Sequence, residues 1–124
     1  MKDLPALAVG PISPGTVAQF ALAQRDFNPI HVSKAAGFSA PIVHGMYILG
    51  QFERLIRSWE ETEIVSLQGH FLRPVPVGAI ITLSGRVVQK AGDIVSLRLQ
   101  AKDEAGALVA IGGARLRTSA AGWP

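Results

Sequence analysis

A change of hydrophobic period near residue 60 constrains the fold of this chain more than any other feature. From His44 to Trp59 the apolar residues Ile48, Phe52, Leu55 and Trp59, with Leu49 and Ile56 beside them, recur at helical intervals. Gln51, Glu53, Arg54, Arg57 and Ser58 take the other side, so the spacing predicts a long amphipathic helix. Its first turn, Gly45-Met46-Tyr47, carries no charge and is expected to be deeply buried, with the far end reaching solvent. After Glu63 the period becomes two. Val65, Leu67, Gly69 and Phe71 alternate with Ser66, Gln68 and His70; Ile81, Leu83 and Val87 alternate with Thr82, Ser84 and Arg86. Val95, Leu97, Leu99 and Ala101 alternate in the same way with Ser96, Arg98, Gln100 and Lys102. Ala91-Gly92-Asp93 and Glu104-Ala105-Gly106 supply turns, and Leu108 to Thr118 makes a fourth strand in which Gly112-Gly113 marks a bulge or a close approach. One long apolar helix followed by four meandering antiparallel strands is an α+β arrangement in which the sheet wraps around the helix to bury it.

Ahead of that helix, Ser13-Pro14 followed by Val17, Phe20, Ala21 and Ala23 predicts a short helix capped by Ser13 and ended by Asn28-Pro29, which drives the backbone out of helical space. Arg25 to His31 is therefore a loop, and Val32 to Ala36 one helical turn closed by Gly37. The 124 residues suit a single domain, 1–124. At 48% apolar and 17% charged residues, the chain buries enough surface to fold. Cysteine is absent, which removes disulfide scaffolds, thiolate zinc sites and cysteine nucleophiles and points to a reducing cytoplasm. Pro5, Gly10, Pro11 and Pro14 interrupt any signal-peptide core, and no apolar run reaches the roughly 18 residues that span a bilayer, so no membrane association is expected. The net charge of +3 is spread over scattered residues (Arg54, Arg57, Arg73, Arg86, Lys90, Arg98, Arg115 and Arg117) without interleaved stacking aromatics, so nucleic acid is not an expected partner.

Two segments carry groups suited to chemistry. Asp26-Phe27-Asn28-Pro29-Ile30-His31 sets a carboxylate and an imidazole five residues apart on a proline-stiffened loop, where both side chains can turn toward one point. With ordinary pKa values near about 3.9 and 6.5, one group is ionised and the other exchanges protons near neutrality, as general acid–base work requires. Read alone, the same residues are better taken as a turn-capping aspartate and a helix-start histidine. Pro41-Ile42-Val43-His44-Gly45-Met46 enters the long helix, where unpaired N–H groups and the helix dipole favour developing negative charge. Gly45 lets a ligand approach that backbone; read alone, it is better taken as permitting tight helix packing while His44 bonds a carbonyl. Asp26, His31 and His44, with only His70 to add to them, do not make a metal set of recognisable spacing, and neither a metal nor another cofactor is expected.

Taken together, Asp26-x-Asn28-Pro29-Ile30-His31, then Gly37-Phe38-x-x-Pro41-Ile42-Val43-His44-Gly45-Met46, then Phe71-Leu72-Arg73-Pro74-Val75-x-Val77-Gly78 resemble the MaoC-like, (R)-specific enoyl-CoA hydratase/dehydratase family, over about Thr16 to Arg117. The resemblance implies a hotdog fold, a curled antiparallel sheet wrapped around the long central helix, and pairing of two units through their sheets. It implies that Asp26 and His31 share one water and add it to the β-carbon of a trans-2-enoyl thioester, with a proton delivered to the α-carbon. The reverse reaction dehydrates an (R)-3-hydroxyacyl thioester. Gly45 N–H would hold the thioester oxygen as it gains enolate charge, and Asn28 would support the loop or orient the site. Met46, Leu49 and Tyr47, uncharged and next to that donor, are candidates to line the acyl chain, although core packing is an equal role for each. The implied substrate is an acyl-CoA or acyl-carrier-protein thioester, and the implied assembly a homodimer or a heteromer with another hotdog chain.

The chain departs from the family pattern at Gln24-Arg25, where a small residue and glycine commonly precede the aspartate, and at Ser33, where an acidic residue is usual. His31 and His44 lie about one helical turn closer in sequence than is typical, and Ala79 follows Gly78 in place of a common aspartate. These changes bear on the entrance and roof of the site and leave the catalytic pair in place. Two alternatives stand beside the enzyme: a supporting, non-catalytic hotdog subunit of a heteromeric dehydratase, and a hotdog thioesterase.

Overall fold

The computed structural model describes residues 3–13, 15–16, 43, 45–59 and 63–118. It contains β1 (Leu7–Val9), α1 (Gly45–Trp59), β2 (Glu63–Phe71), β3 (Ile81–Ala91), β4 (Ile94–Lys102) and β5 (Leu108–Arg117). The five strands form one antiparallel sheet in the order β1-β3-β4-β5-β2.

Each hairpin turn stands where glycine allows it. Gly92 has φ 63 in the two-residue loop from β3 to β4, and Gly106 has φ 83 in the loop from β4 to β5. In the second loop the Asp103 carboxylate accepts the N–H groups of Ala105 at 3.0 Å and Ala107 at 2.9 Å, holding the turn closed. Ser13 caps as its sequence position predicts, its Oγ accepting the Thr16 N–H at 3.0 Å; the remainder of the short helix and the Val32–Ala36 turn lie outside the described residues.

The core lies between α1 and one face of the sheet. Ile48, Phe52, Leu55 and Ile56 are buried, and below them are Leu83 and Val87 of β3, Val95, Leu97, Leu99 and Ala101 of β4, and Ala110, Ala114 and Leu116 of β5. The alternation in β3 and β4 predicts this face correctly. α1 touches both β2 and β3, although β4 and β5 stand between them in the sheet. Three strand spacings are about 14 Å, wider than a helix with its side chains, so the sheet must bend around α1 to reach it from both sides.

Three expectations change. The strands do not form a simple meander: only β3, β4 and β5 follow one another, whereas β2 crosses to the far edge and pairs with β5, and the unpredicted β1 fills the opposite edge. In β2 the register shifts between Ile64 and Ser66, so Val65 turns outward and is 45% exposed, while Ile64 and Leu67 are half-buried. The first turn of α1 is not deeply buried: Met46 is 59% exposed. The reason is helical phase, since Met46 falls on the same stripe as Gly50, Glu53 and Arg57, which points away from the sheet. Gly112 makes the close approach that its sequence position allows, for a Cβ there would lie 2.6 Å from the Gln68 carbonyl oxygen, and the β2–β5 and β4–β5 ladders run through it without a register shift.

Candidate active site at the start of the central helix

The entry of α1 is fastened to the segment that follows β2. Leu72 and Arg73 N–H groups donate to the Val109 carbonyl at 2.9 and 3.3 Å, so this segment hangs on β5. Val75 in turn accepts the Val43 N–H at 2.7 Å, and both valine side chains are buried. Two of the three sequence motifs thus meet in space: Val43 and Gly45 of the second lie against Val75 and Phe71 of the third.

The meeting is closest at Gly45. A Cβ on Gly45 would lie 2.7 Å from Phe71 Cε2 and 2.9 Å from Cδ2, so the ring fills the space that any larger residue needs. One helical turn on, Leu49 Cδ1 comes within 3.2 Å of where a Gly69 Cβ would stand, and Phe71 Cζ within 3.8 Å. Gly45 is therefore a packing glycine, and the freedom it gives the helix start is used by this chain's own aromatic ring. The first N–H groups of α1 have no intrahelical acceptor and carry the positive end of the dipole, which suits them to an oxygen gaining charge.

Of the sequence-predicted site residues, Gly45, Leu49 and Tyr47 come together at this end of α1, Leu49 and Tyr47 half-buried against the core, and Met46 beside them faces outward. Asp26, Asn28 and His31 lie outside the described residues. His70 is exposed on β2, and among the described residues no cluster of three or more histidine, aspartate or glutamate residues is placed to hold a metal. Phe71 is the neighbour that sequence reading placed in a strand and at the head of the third motif but gave no part in the site; two glycines, Gly45 and Gly69, each leaving space for an occupant, were the signal. The described titrating groups with a clear shift are on the surface and away from this end: the Arg86 hydrogen bond at 2.6 Å holds the Asp3 carboxyl below its ordinary range, and Asp3 raises Arg86 in return.

A family model described as a MaoC like domain matches residues 6–105, most of the chain and all three motifs. The chain belongs to the MaoC-like domain family. Among solved structures, this MaoC-like domain is similar to the (R)-hydratase from A. caviae involved in PHA biosynthesis, with 27% identity, a TM-score of 0.85, and 94% of this chain and 93% of that one covered. It is also similar to the R-hydratase PhaJ1 from Pseudomonas aeruginosa at 21% identity and TM-score 0.86, covering 99% and 88% of the two chains. The ChsH1-ChsH2 complex from Mycobacterium tuberculosis matches at 21% identity and TM-score 0.85, with 94% and 95% covered. No curated protein sequence matches. The fold of this MaoC-like domain is the hotdog, as the motif resemblance implies, with an open five-stranded sheet around α1. No helix among the described residues is long and apolar enough to cross a membrane.

Proposed function

We propose that this MaoC-like domain hydrates trans-2-enoyl thioesters and, in reverse, dehydrates (R)-3-hydroxyacyl thioesters, with coenzyme A as the carrier. The reading is carried by its family membership together with the 27% identity to an (R)-hydratase over almost the whole of both chains. Asp26 and His31 act on one water, which adds to the β-carbon as a proton reaches the α-carbon; Asn28 orients their loop. The thioester oxygen gains charge as the enolate forms, and the Gly45 N–H at the positive end of α1 receives it. Tyr47, Leu49 and Met46 line the path of the acyl chain.

Decay of the conjugated-thioester absorbance on mixing the purified protein with trans-2-enoyl-CoA esters of several chain lengths tests the reading. Turnover giving the (R)-3-hydroxyacyl product is expected; no turnover on any ester, with hydrolysis to free coenzyme A instead, would replace it by the thioesterase reading.

The assembly we propose is a homodimer joined at the free edge of β2. That edge strand exposes Val65 and Phe71, and among the described residues no strand pairs with its outer side; such an edge with apolar flanks invites pairing. Light scattering at micromolar concentration should give twice the chain mass. A monomer that becomes active only on adding a second hotdog chain would point to the heteromeric subunit instead.

A further inference from the structure

We propose that Phe71 is a positioning residue for the reaction, its ring setting the position of the first turn of α1 and with it the Gly45 N–H. The proposal rests on the hydratase reading above and adds to it a residue that makes no covalent or proton-transfer step. Gly45 has no side chain of its own to set how near the helix comes to β2. The ring takes that part, standing 2.7, 2.9 and 3.1 Å at three of its atoms from the place of a Gly45 Cβ. On the strand side the ring passes Gly69, and Leu49 leans on the same glycine one helical turn further on, so Gly45 and Leu49 interlock with Gly69 and Phe71.

Core burial alone does not account for this ring. Phe71 remains 46% exposed, whereas Phe52, in the middle of the same helix, is wholly buried. The helix entry is held at a second point by the Val43 N–H on the Val75 carbonyl, four residues beyond Phe71 on the same segment. The helix entry is thus held at two points by residues 71–75. An oxyanion donor works only within a few tenths of an ångström of its proper distance, and a displacement of about 1 Å can cost about 10²-fold in rate. Because that contact strengthens as the enolate forms, its loss falls on kcat more than on KM.

The test compares wild type, Phe71→Leu, Gly45→Ala, Phe71→Ala and the double variant Gly45→Ala/Phe71→Ala, by thermal unfolding and by steady-state hydration of a trans-2-enoyl-CoA ester. Phe71→Leu keeps an apolar residue in β2; it should fold and lose roughly 10- to 100-fold in kcat, with KM changed less than about threefold. Gly45→Ala forces a methyl into the ring and should unfold at lower temperature. Removing the ring in the double variant should return part of that loss, so that the two substitutions are not additive. An active wild type with equally active, folded Phe71→Leu overturns the proposal, and additive melting shifts overturn the contact on which it stands. An inactive wild type marks instead the failure of the hydratase reading, and the melting-temperature cycle still decides whether ring and glycine are coupled.

Discussion

The first turn of α1 and its middle differ in kind although both are apolar and both face the sheet. In the middle, Phe52, Leu55 and Ile56 are sealed at 0, 1 and 0% exposure, and Phe52 Cε2 approaches within 3.6 Å of where a Gly112 Cβ would be on β5. In the first turn Gly45 meets a ring that is half in solvent, and Met46 looks outward. One helix therefore serves as core along its length and as the wall of a site at its start. What separates the two is position over the sheet: the middle lies over central strands, the start beside edge strand β2, where no further strand among the described residues covers it.

The sharpest break of that comparison is chemical. Asp26→Asn or His31→Ala should each lower turnover by roughly 10²–10⁴-fold with the melting temperature kept. If both act on one water, the double variant should be about as slow as the worse single one; multiplicative losses would reject the shared water. Next in size is the middle of the helix: Phe52→Ala should cost about 3–5 kcal/mol in denaturant unfolding, the range for truncating a buried phenylalanine. Retention of full stability would mean that this face does not carry the core.

A smaller effect is expected between the two regions. Leu49→Trp, on the half-buried side, should shorten the longest enoyl chain accepted, while Met46→Trp, on the outward stripe, should alter the profile less; the chain-length series of the hydration assay reads both. If Met46→Trp has the larger effect, the acyl path runs over the outer side of the helix. The smallest effect belongs to the opposite face of the sheet. Asp3 and Arg86 are paired at 2.6 Å but fully solvated, so Arg86→Ala should leave the melting temperature at neutral pH nearly unchanged. The pairing lowers the Asp3 pKa below its unfolded value, so any stability it contributes is present above the ordinary carboxylate range and fades as pH falls through the lowered one. A melting-temperature series in acid, wild type against variant, should converge at the low end.

Much of the candidate site was legible because it was written in local motifs. Asp26 to His31, and Gly45 at a helix entry, announce themselves by residue type and spacing. Phe71 did not: it opens the third motif and has Gly69 beside it, but an aromatic residue at an inward strand position reads as core, and only the fold brings a helix glycine 26 positions earlier opposite the ring. Met46 was misplaced for a local reason: an uncharged first turn looks buried, yet its stripe leads to Gly50, Glu53 and Arg57, and phase outweighs composition. Val65 likewise fits the alternation on paper, but a bulge makes it the extra, unpaired residue between Ile64 and Ser66 and so shifts the count by one.

The sequence by itself determined that α1 is helix and that β2 to β5 are strands, where the hairpins turn at Gly92 and Gly106, and which faces of β3 and β4 point inward. These properties follow from interactions within a few residues: helical and strand periods, and the freedom of glycine at positive φ. Only the tertiary structure decided that β2 pairs with β5 and not with β3, that Leu7–Val9 closes the other edge on β3, and that the Phe71 ring lies on Gly45. Strand order and close packing are set by which distant surfaces can be buried together. A sheet that must reach α1 from both sides has to carry β2 across to its far edge, and the chain between Leu72 and Ile80, with Pro74 and Pro76, makes that crossing.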